Sequence, residues 1–335
     1  TGSCNTGIGR DALCANTTAS LNTAVGFRAL LTNTTGSENV SVGNASLCAN
    51  STGTNNTALG HLALRVNTTG TENTAVGNQA LCGNSTGNYN TAVGSFALLD
   101  VDAGADNNTA VGRSSMITLS TGDGNTAIGS QSLRSATTAG GNTALGLCSL
   151  YANTTADGNT AVGKIALCSN TTGAENTAVG FRAGCDVTTG GNNTMIGLDA
   201  GTSNSPFNVT DSSTNHRIVL GNNDISNFYA KVALTVTSDL RDKTNFGTVP
   251  HGLDFVNKLN PVSFQFRKSR EDDTPHGPMH YGFKAQDILS LEGDNNVIID
   301  NEQPDHLKYK GEHLVPVLVN AIKELTARIE ELENE

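Results

Sequence analysis

The phrase N-T-A-V-G-x-x-A-L recurs, with small variations, from Asn5, Asn22, Asn39, Asn56, Asn73, Asn90, Asn108, Asn125, Asn142, Asn159, Asn176 and Asn193, and this period limits what the amino-terminal part of the chain can become. Every step is 17 residues except Asn90 to Asn108, which is 18 and falls where Asp100, Asp102 and Asp106 interrupt the usual N-T-T-G; it reads as a one-residue bulge. Units this short cannot bury an apolar face alone and must stack. Leucine-rich repeats carry a denser Leu pattern and helical repeats are about twice as long. The calcium-binding G-G-x-G-x-D phrase is absent. What remains is an all-β shaft, a β-roll or β-helix whose rung is one or two short strands joined by turns.

Within a rung, strand alternation sorts the side chains. In Asn73-Thr74-Ala75-Val76-Gly77, Thr74 and Val76 share one face and Ala75 and Gly77 the other. The column of Ala and Gly lets another backbone approach closely. With Leu81 and its equivalents it makes a thin aliphatic core, too little apolar area for a sturdy single chain, so three chains are expected to share it. Segments such as Asn67-Thr68-Thr69-Gly70 supply turn chemistry, with Asn and Gly tolerating positive φ and Thr hydroxyls bonding local backbone. If each repeat is one layer, the stack rises by about 4.8 Å per repeat. The repeat phrase resembles the head repeats of trimeric autotransporter adhesins and of some phage fibres. The opening Thr1-Gly2-Ser3-Cys4-Asn5 matches Thr35-Gly36-Ser37-Glu38-Asn39, so the chain starts inside a repeat and is expected to be part of a longer protein.

Composition narrows the function classes. Aromatic residues are 4%, Trp is absent and charged residues are only 15%, which suits neither an ordinary enzyme core nor a charge-driven disordered segment. A net charge of -11 with no basic run before residue 240 argues against nucleic acid as a partner. No apolar stretch reaches the ~20 residues that span a bilayer, so no membrane insertion is expected. Five cysteines, Cys14, Cys48, Cys82, Cys168 and Cys185, lie nine residues after their repeat's Asn. Without C-x-x-C spacings they do not read as metal ligands, and no metal or other cofactor is expected. They read as small semi-buried fillers kept reduced, with interchain disulfides about a threefold axis as the alternative. Triplets such as Asn33-Thr34-Thr35 and Asn84-Ser85-Thr86 recur because the repeat does, and read as turns rather than glycosylation sites. An ice-binding face is disfavoured because the slot after the Gly varies freely, as in Phe27, His61 and Lys164.

Near residue 203 the repeat stops, and Arg217-Ile218-Val219-Leu220-Gly221 opens a strand-rich junction. Composition changes again at Ser238, after which most Lys, His and Pro residues lie. The expected domains are a shaft over 1–202, a junction over 203–237 and a carboxy-terminal domain over 238–335. That last part carries Ser238-Asp239-Leu240-Arg241-Asp242-Lys243, then Gly252-Leu253-Asp254-Phe255-Val256-Asn257-Lys258-Leu259-Asn260-Pro261-Val262-Ser263-Phe264. Tyr281-Gly282-Phe283-Lys284-Ala285-Gln286-Asp287 follows, and then Leu307-Lys308-Tyr309 with Leu314-Val315-Pro316-Val317-Leu318. These four motifs, in this order, resemble the S74 peptidase family, the intramolecular chaperones of endosialidases and related tail spikes. The resemblance implies a mostly helical α+β module that trimerises, guides folding of the preceding β-structure and then cuts itself off.

The chemistry has its own logic. A Ser hydroxyl becomes a nucleophile when a base takes its proton, and Lys is such a base where burial or neighbouring cations favour the neutral amine. Ser238 and Lys243 form the candidate dyad, within reach across a turn, and the resembling family carries its dyad at this S-D-x-R-x-K spacing. Asp239 and Asp242 read as positioning or solvated carboxylates, since a carboxylate beside Lys243 favours its charged form. Arg241 either donates to an oxyanion or, by repulsion, favours the neutral amine. Attack on the carbonyl of Thr237 is an N-to-O acyl shift and is easy, whereas attack by Ser238 on its own carbonyl is strained; cleavage is expected beside Ser238. The nearest histidine in sequence, His251, does not complete a conventional triad.

The chain ends in a predicted helix with apolar residues at Val315, Leu318, Ile322, Leu325, Ile329 and Leu332, a coiled-coil seam. Val and Ile at the first core position with Leu at the second favour two strands, whereas the resembling family implies three. Taken together, the sequence reads as a homotrimeric virion fibre or tail-spike fragment of a tailed phage, assembled in the host cytoplasm, with a host-surface receptor or glycan as partner. A cellular trimeric adhesin with the same release module is the alternative. A membrane-tethered transcription regulator is a third class, which the acidic shaft disfavours.

Overall fold

The computed structural model describes residues 2–101, 104–225, 228–231, 238, 240–267, 272–293, 296–302 and 304–334, without the side chains of Ser212 and Asp242. The chain divides into two compact units, Thr1–Asn222 and Asn223–Glu335.

The first unit is a parallel β-solenoid. Its strands β1 (Thr6–Ile8), β2 (Thr23–Val25), β3 (Val40–Val42), β4 (Thr57–Leu59), β5 (Thr74–Val76) and β6 (Thr91–Val93) each begin one residue after a repeat Asn. So do β7 (Thr109–Val111), β8 (Thr126–Ile128), β9 (Thr143–Leu145), β10 (Thr160–Val162), β11 (Thr177–Val179) and β12 (Thr194–Ile196). Each pairs with the next in register, Thr74 on Thr91 and Ala75 on Ala92, so one repeat is one layer. A thirteenth strand, β13 (Ile218–Leu220), pairs on β12 and ends the stack, drawing the start of the expected junction into the solenoid. Residues 232–237 of that junction lie outside the described residues. At the 18-residue step β6 and β7 still pair without a shift, Thr91 on Thr109. The extra residue therefore lies outside the paired strands.

The alternation is as read: Ala75, Ala80 and Leu81 are wholly buried, while Thr74 and Val76 look outward. The expectation of a core shared by three chains needs correcting. The interior columns are already at 0% exposure within the single chain, because a rung this narrow is filled by Ala, Leu and Asn and walled by its own backbone. The close backbone approach predicted for the glycines also runs between layers of one chain. Gly77 has φ +134, and a Cβ there would sit 2.6 Å from the carbonyl oxygen of Gly94 in the next layer. Leucines of the phrase adopt left-handed φ, +53 at Leu81 and +48 at Leu98. This conformation costs a β-carbon residue about 1–2 kcal/mol, which burial of the side chain and the interlayer bonds offset.

The asparagines also differ from the turn reading. Two columns of them are buried inside the stack. In the first, each repeat Asn accepts from the next repeat's Asn amide through Oδ1, from Asn22 on Asn5 to Asn193 on Asn176, at 2.9 to 3.1 Å. Arg217 continues the column by donating to Asn193 at 2.9 Å. In the second, Asn67 Nδ2 donates to Asn50 Oδ1 at 2.9 Å and to the Gly70 carbonyl at 3.0 Å. Val101, Leu119 and Ala136 interrupt that column. Thr hydroxyls bond across layers rather than locally, as Thr68 does to the Ser85 carbonyl at 3.0 Å.

The second unit is α+β. Helix α1 (Leu253–Val256) leads into the antiparallel pair β14 (Val262–Arg267) and β15 (Pro275–Gly282), followed by α2 (Ala285–Glu292). A short pair, β16 (Ile299–Asp300) with β17 (Lys308–Tyr309), precedes α3 (Leu314–Glu333). Pro316 sits in the first turn of α3, where its missing N–H leaves no bond unmade. Phe255, Ile288, Ile298, Ile299, Leu314 and Val317 form the core, with Leu259, Phe283, Ala285 and Leu307 packed against it. Residues from the second, third and fourth motifs thus meet in one core. Buried Glu292 completes it by accepting the amides of Val297, Ile298 and Ile299 at 2.7, 2.7 and 3.0 Å.

Candidate active site at Ser238 and Lys243

Directly after Ser238 the chain turns. Leu240–Asp242 form one turn of 3-10 helix, which the Lys243 amide closes by donating to the Leu240 carbonyl at 3.2 Å. The turn carries Lys243 back to Ser238, and its Nζ donates to Ser238 Oγ at 2.6 Å. Arg241 stands on the same turn and is exposed. Thr237 and Asp239 lie outside the described residues, as does the side chain of Asp242.

The contact brings the expected pair within hydrogen-bonding distance, with Nζ as donor and Oγ as acceptor. Base catalysis needs the reverse, with the hydroxyl donating to a neutral amine. Burial favours that form, and Ser238 and Lys243 are both exposed in the single chain.

Helix α3 anchors the segment that runs from the dyad to α1. Asn320 Nδ2 donates to the carbonyls of Val249 and His251 at 3.1 and 3.3 Å. Glu324 Oε2 accepts the Leu253 amide at 2.8 Å, and its carboxylate would have to shift to admit a side chain at Gly252. The His251 ring stacks on Phe255 with centroids 4.3 Å apart. Sequence reasoning passed over Asn320 and Glu324, because two polar residues four apart on a helix look like a solvated face.

Residues 238–296 match the family model described as chaperone of endosialidase, peptidase S74. The match begins on Ser238 and takes in Lys243, α1, the β14–β15 pair and α2. No curated protein and no solved structure matches the chain. A parallel solenoid followed by an S74-like module fits a fibre or spike with an intramolecular chaperone, and the match points to autoproteolytic serine peptidase chemistry. Among the described residues, no cluster of three or more His, Cys, Asp or Glu is arranged to hold a metal. Among them, too, no helix is long and apolar enough to cross a membrane.

Proposed function

We propose that this chain is a segment of a homotrimeric virus fibre or tail spike of the tailed-phage kind, whose S74-like module aligns three chains, promotes folding of the solenoid and releases itself by one cut beside Ser238. The observation that carries the reading is the Lys243–Ser238 contact, 2.6 Å long, inside the segment that matches the chaperone family. In this reading neutral Lys243 takes the Oγ proton and Oγ attacks the adjacent carbonyl carbon. In the same reading Arg241, on the same turn, donates to the oxyanion or by repulsion favours the neutral amine. The C–N bond then breaks, the proton passes to the departing amine, and water hydrolyses the ester left on Ser238. Association of copies would supply burial that favours the neutral Lys243 amine.

Two surfaces support association. The seam of α3 is wholly outward in the single chain, from Val315 to Leu332, while Leu314, Val317 and Ala321 on its other face are buried in the module. The solenoid likewise presents an outward aliphatic column, including Leu59, Leu145 and Ile196, beside its threonines. A short-period stack offers many wrong registers, each one repeat off and nearly as good as the right one. A module with local contacts folds first and sets a common end for the three chains. The mature shaft then resides in the virion and meets a host-surface receptor or glycan.

Comparing full-length protein, Ser238→Ala and residues 1–237 alone by intact mass, sedimentation and detergent resistance tests the reading. The expected results are a cut chain, an uncut trimer and no resistant trimer, in that order. A Ser238→Ala chain still cut near residue 238 removes the dyad, and equal yields of resistant trimer from residues 1–237 remove the chaperone role.

A further inference from the structure

Residues 17 apart stack directly in this solenoid, as Thr160 does on Thr177. The column nine residues after the repeat Asn reads Cys14, Leu31, Cys48, Arg65, Cys82 and onwards to Cys168 and Cys185. Cys14, Cys48 and Cys82 are each separated by an intervening layer, about 10 Å at two strand spacings. That exceeds the separation of roughly 7 Å, from one α-carbon to the other, that a disulfide can bridge. Cys168 and Cys185 alone of the column's cysteines fall on consecutive layers, and their sulfurs lie 2.8 Å apart. Both are half-buried and free.

We propose that Cys168 and Cys185 form a disulfide across two consecutive layers when the protein meets a small-molecule disulfide oxidant of the oxidised-glutathione class. Cys168 Sγ, as thiolate, attacks one oxidant sulfur and releases the first thiol. Cys185 Sγ then attacks Cys168 Sγ, its proton leaves to solvent, and the second thiol departs. Two protein thiols are oxidised and one disulfide is reduced to two thiols, so the exchange balances. The hydrogen bond from the Cys185 thiol lowers the pKa of Cys168 to about 7, which fits Cys168 as the first attacker. The same partnership, with burial, holds the Cys185 proton on, and it ends once Cys168 is in the mixed disulfide.

The staple joins the layers of β10 and β11, close to the carboxy-terminal end of the stack, where an end layer has a neighbour on one side only. Frayed ends open most readily, and a covalent link between β10 and β11 limits how far opening that starts at β13 can spread.

The test uses the full chain treated with oxidised glutathione, then denatured and alkylated. The expected result is loss of alkylation at Cys168 and Cys185, with one reducible cross-link joining the peptides that hold them and any other blocked cysteine carrying a glutathione adduct. Cys168→Ser and Cys185→Ser should each abolish that cross-link, while Cys82→Ser should leave it. Retention of all seven alkylatable thiols, a stable glutathione adduct on Cys168, or a bond between two chains at these positions overturns the proposal. The wild-type peptide map decides the matter even where a Ser variant folds poorly. Because both cysteines precede Ser238, the readout is independent of whether the module cuts itself.

Discussion

Lys243 reaches back over one turn of 3-10 helix to donate its Nζ to Ser238 Oγ at 2.6 Å. Both partners are exposed in the single chain, and the turn is what brings them together.

Replacing Lys243 with Ala should block cleavage, and Lys243→Arg should block it as well, since Arg keeps its proton and cannot serve as a base. Denaturing electrophoresis of freshly expressed protein reads the outcome. An active Arg variant would mean that position 243 supplies charge or placement and that another group takes the proton.

The two faces of α3 should respond oppositely to charge. Ile322 and Ile329 are 64% and 48% exposed, so Ile322→Asp with Ile329→Asp should change the fold of the isolated module by no more than about 0.5 kcal/mol per site. The pair should nonetheless abolish trimers in sedimentation. Val317, at 3% exposure, should behave differently: Val317→Asp buries an unpaired charge at a cost of several kcal/mol and should unfold the module, as seen by circular dichroism. Trimers that survive the double change would place the association elsewhere.

The second asparagine column predicts an asymmetry between neighbours. Asn84 Oδ1 is buried without a hydrogen bond, and the next residue in its column is Val101. Asn84→Leu therefore removes one orphan acceptor while creating another at Asn67. Asn67→Leu instead strands Asn50 Oδ1 and one donor of Asn84. The difference should be about 1–3 kcal/mol in favour of Asn84→Leu. Urea unfolding of the two variants measures it, and equal losses would show that the column adds little beyond packing.

Much of this architecture was legible because it is carried by period. The 17-residue spacing gave one layer per repeat, the alternation in Asn73-Thr74-Ala75-Val76-Gly77 gave the inward alanine, and the heptad steps from Val315 to Leu332 trace one outward face of α3. Other features escaped because their cause lies a layer away. Asn is a turn former by local propensity, and its buried role exists only once Oδ1 meets the amide of the next repeat. Leu81 at φ +53 contradicts propensity outright, since the backbone path that closes the narrow rung imposes the angle. The expected shared core failed for the same reason: interior width is set by that path and not by the amount of apolar residue. At the candidate site, the spacing of Ser238 and Lys243 was readable, whereas the support from Asn320 and Glu324 comes from a helix 71 residues farther on in the bonds to Val249 and Leu253.

The first asparagine column runs without interruption through every repeat, including the 18-residue one, and each member bonds to the equivalent atoms of the repeats on either side. No layer holds a part that the others lack there. Gain or loss of a whole repeat therefore heals its own junction, and reach becomes a dimension that changes in steps of about 4.8 Å. A gene carrying this repeat can lengthen or shorten the shaft by unequal recombination without redesigning a single contact in that column.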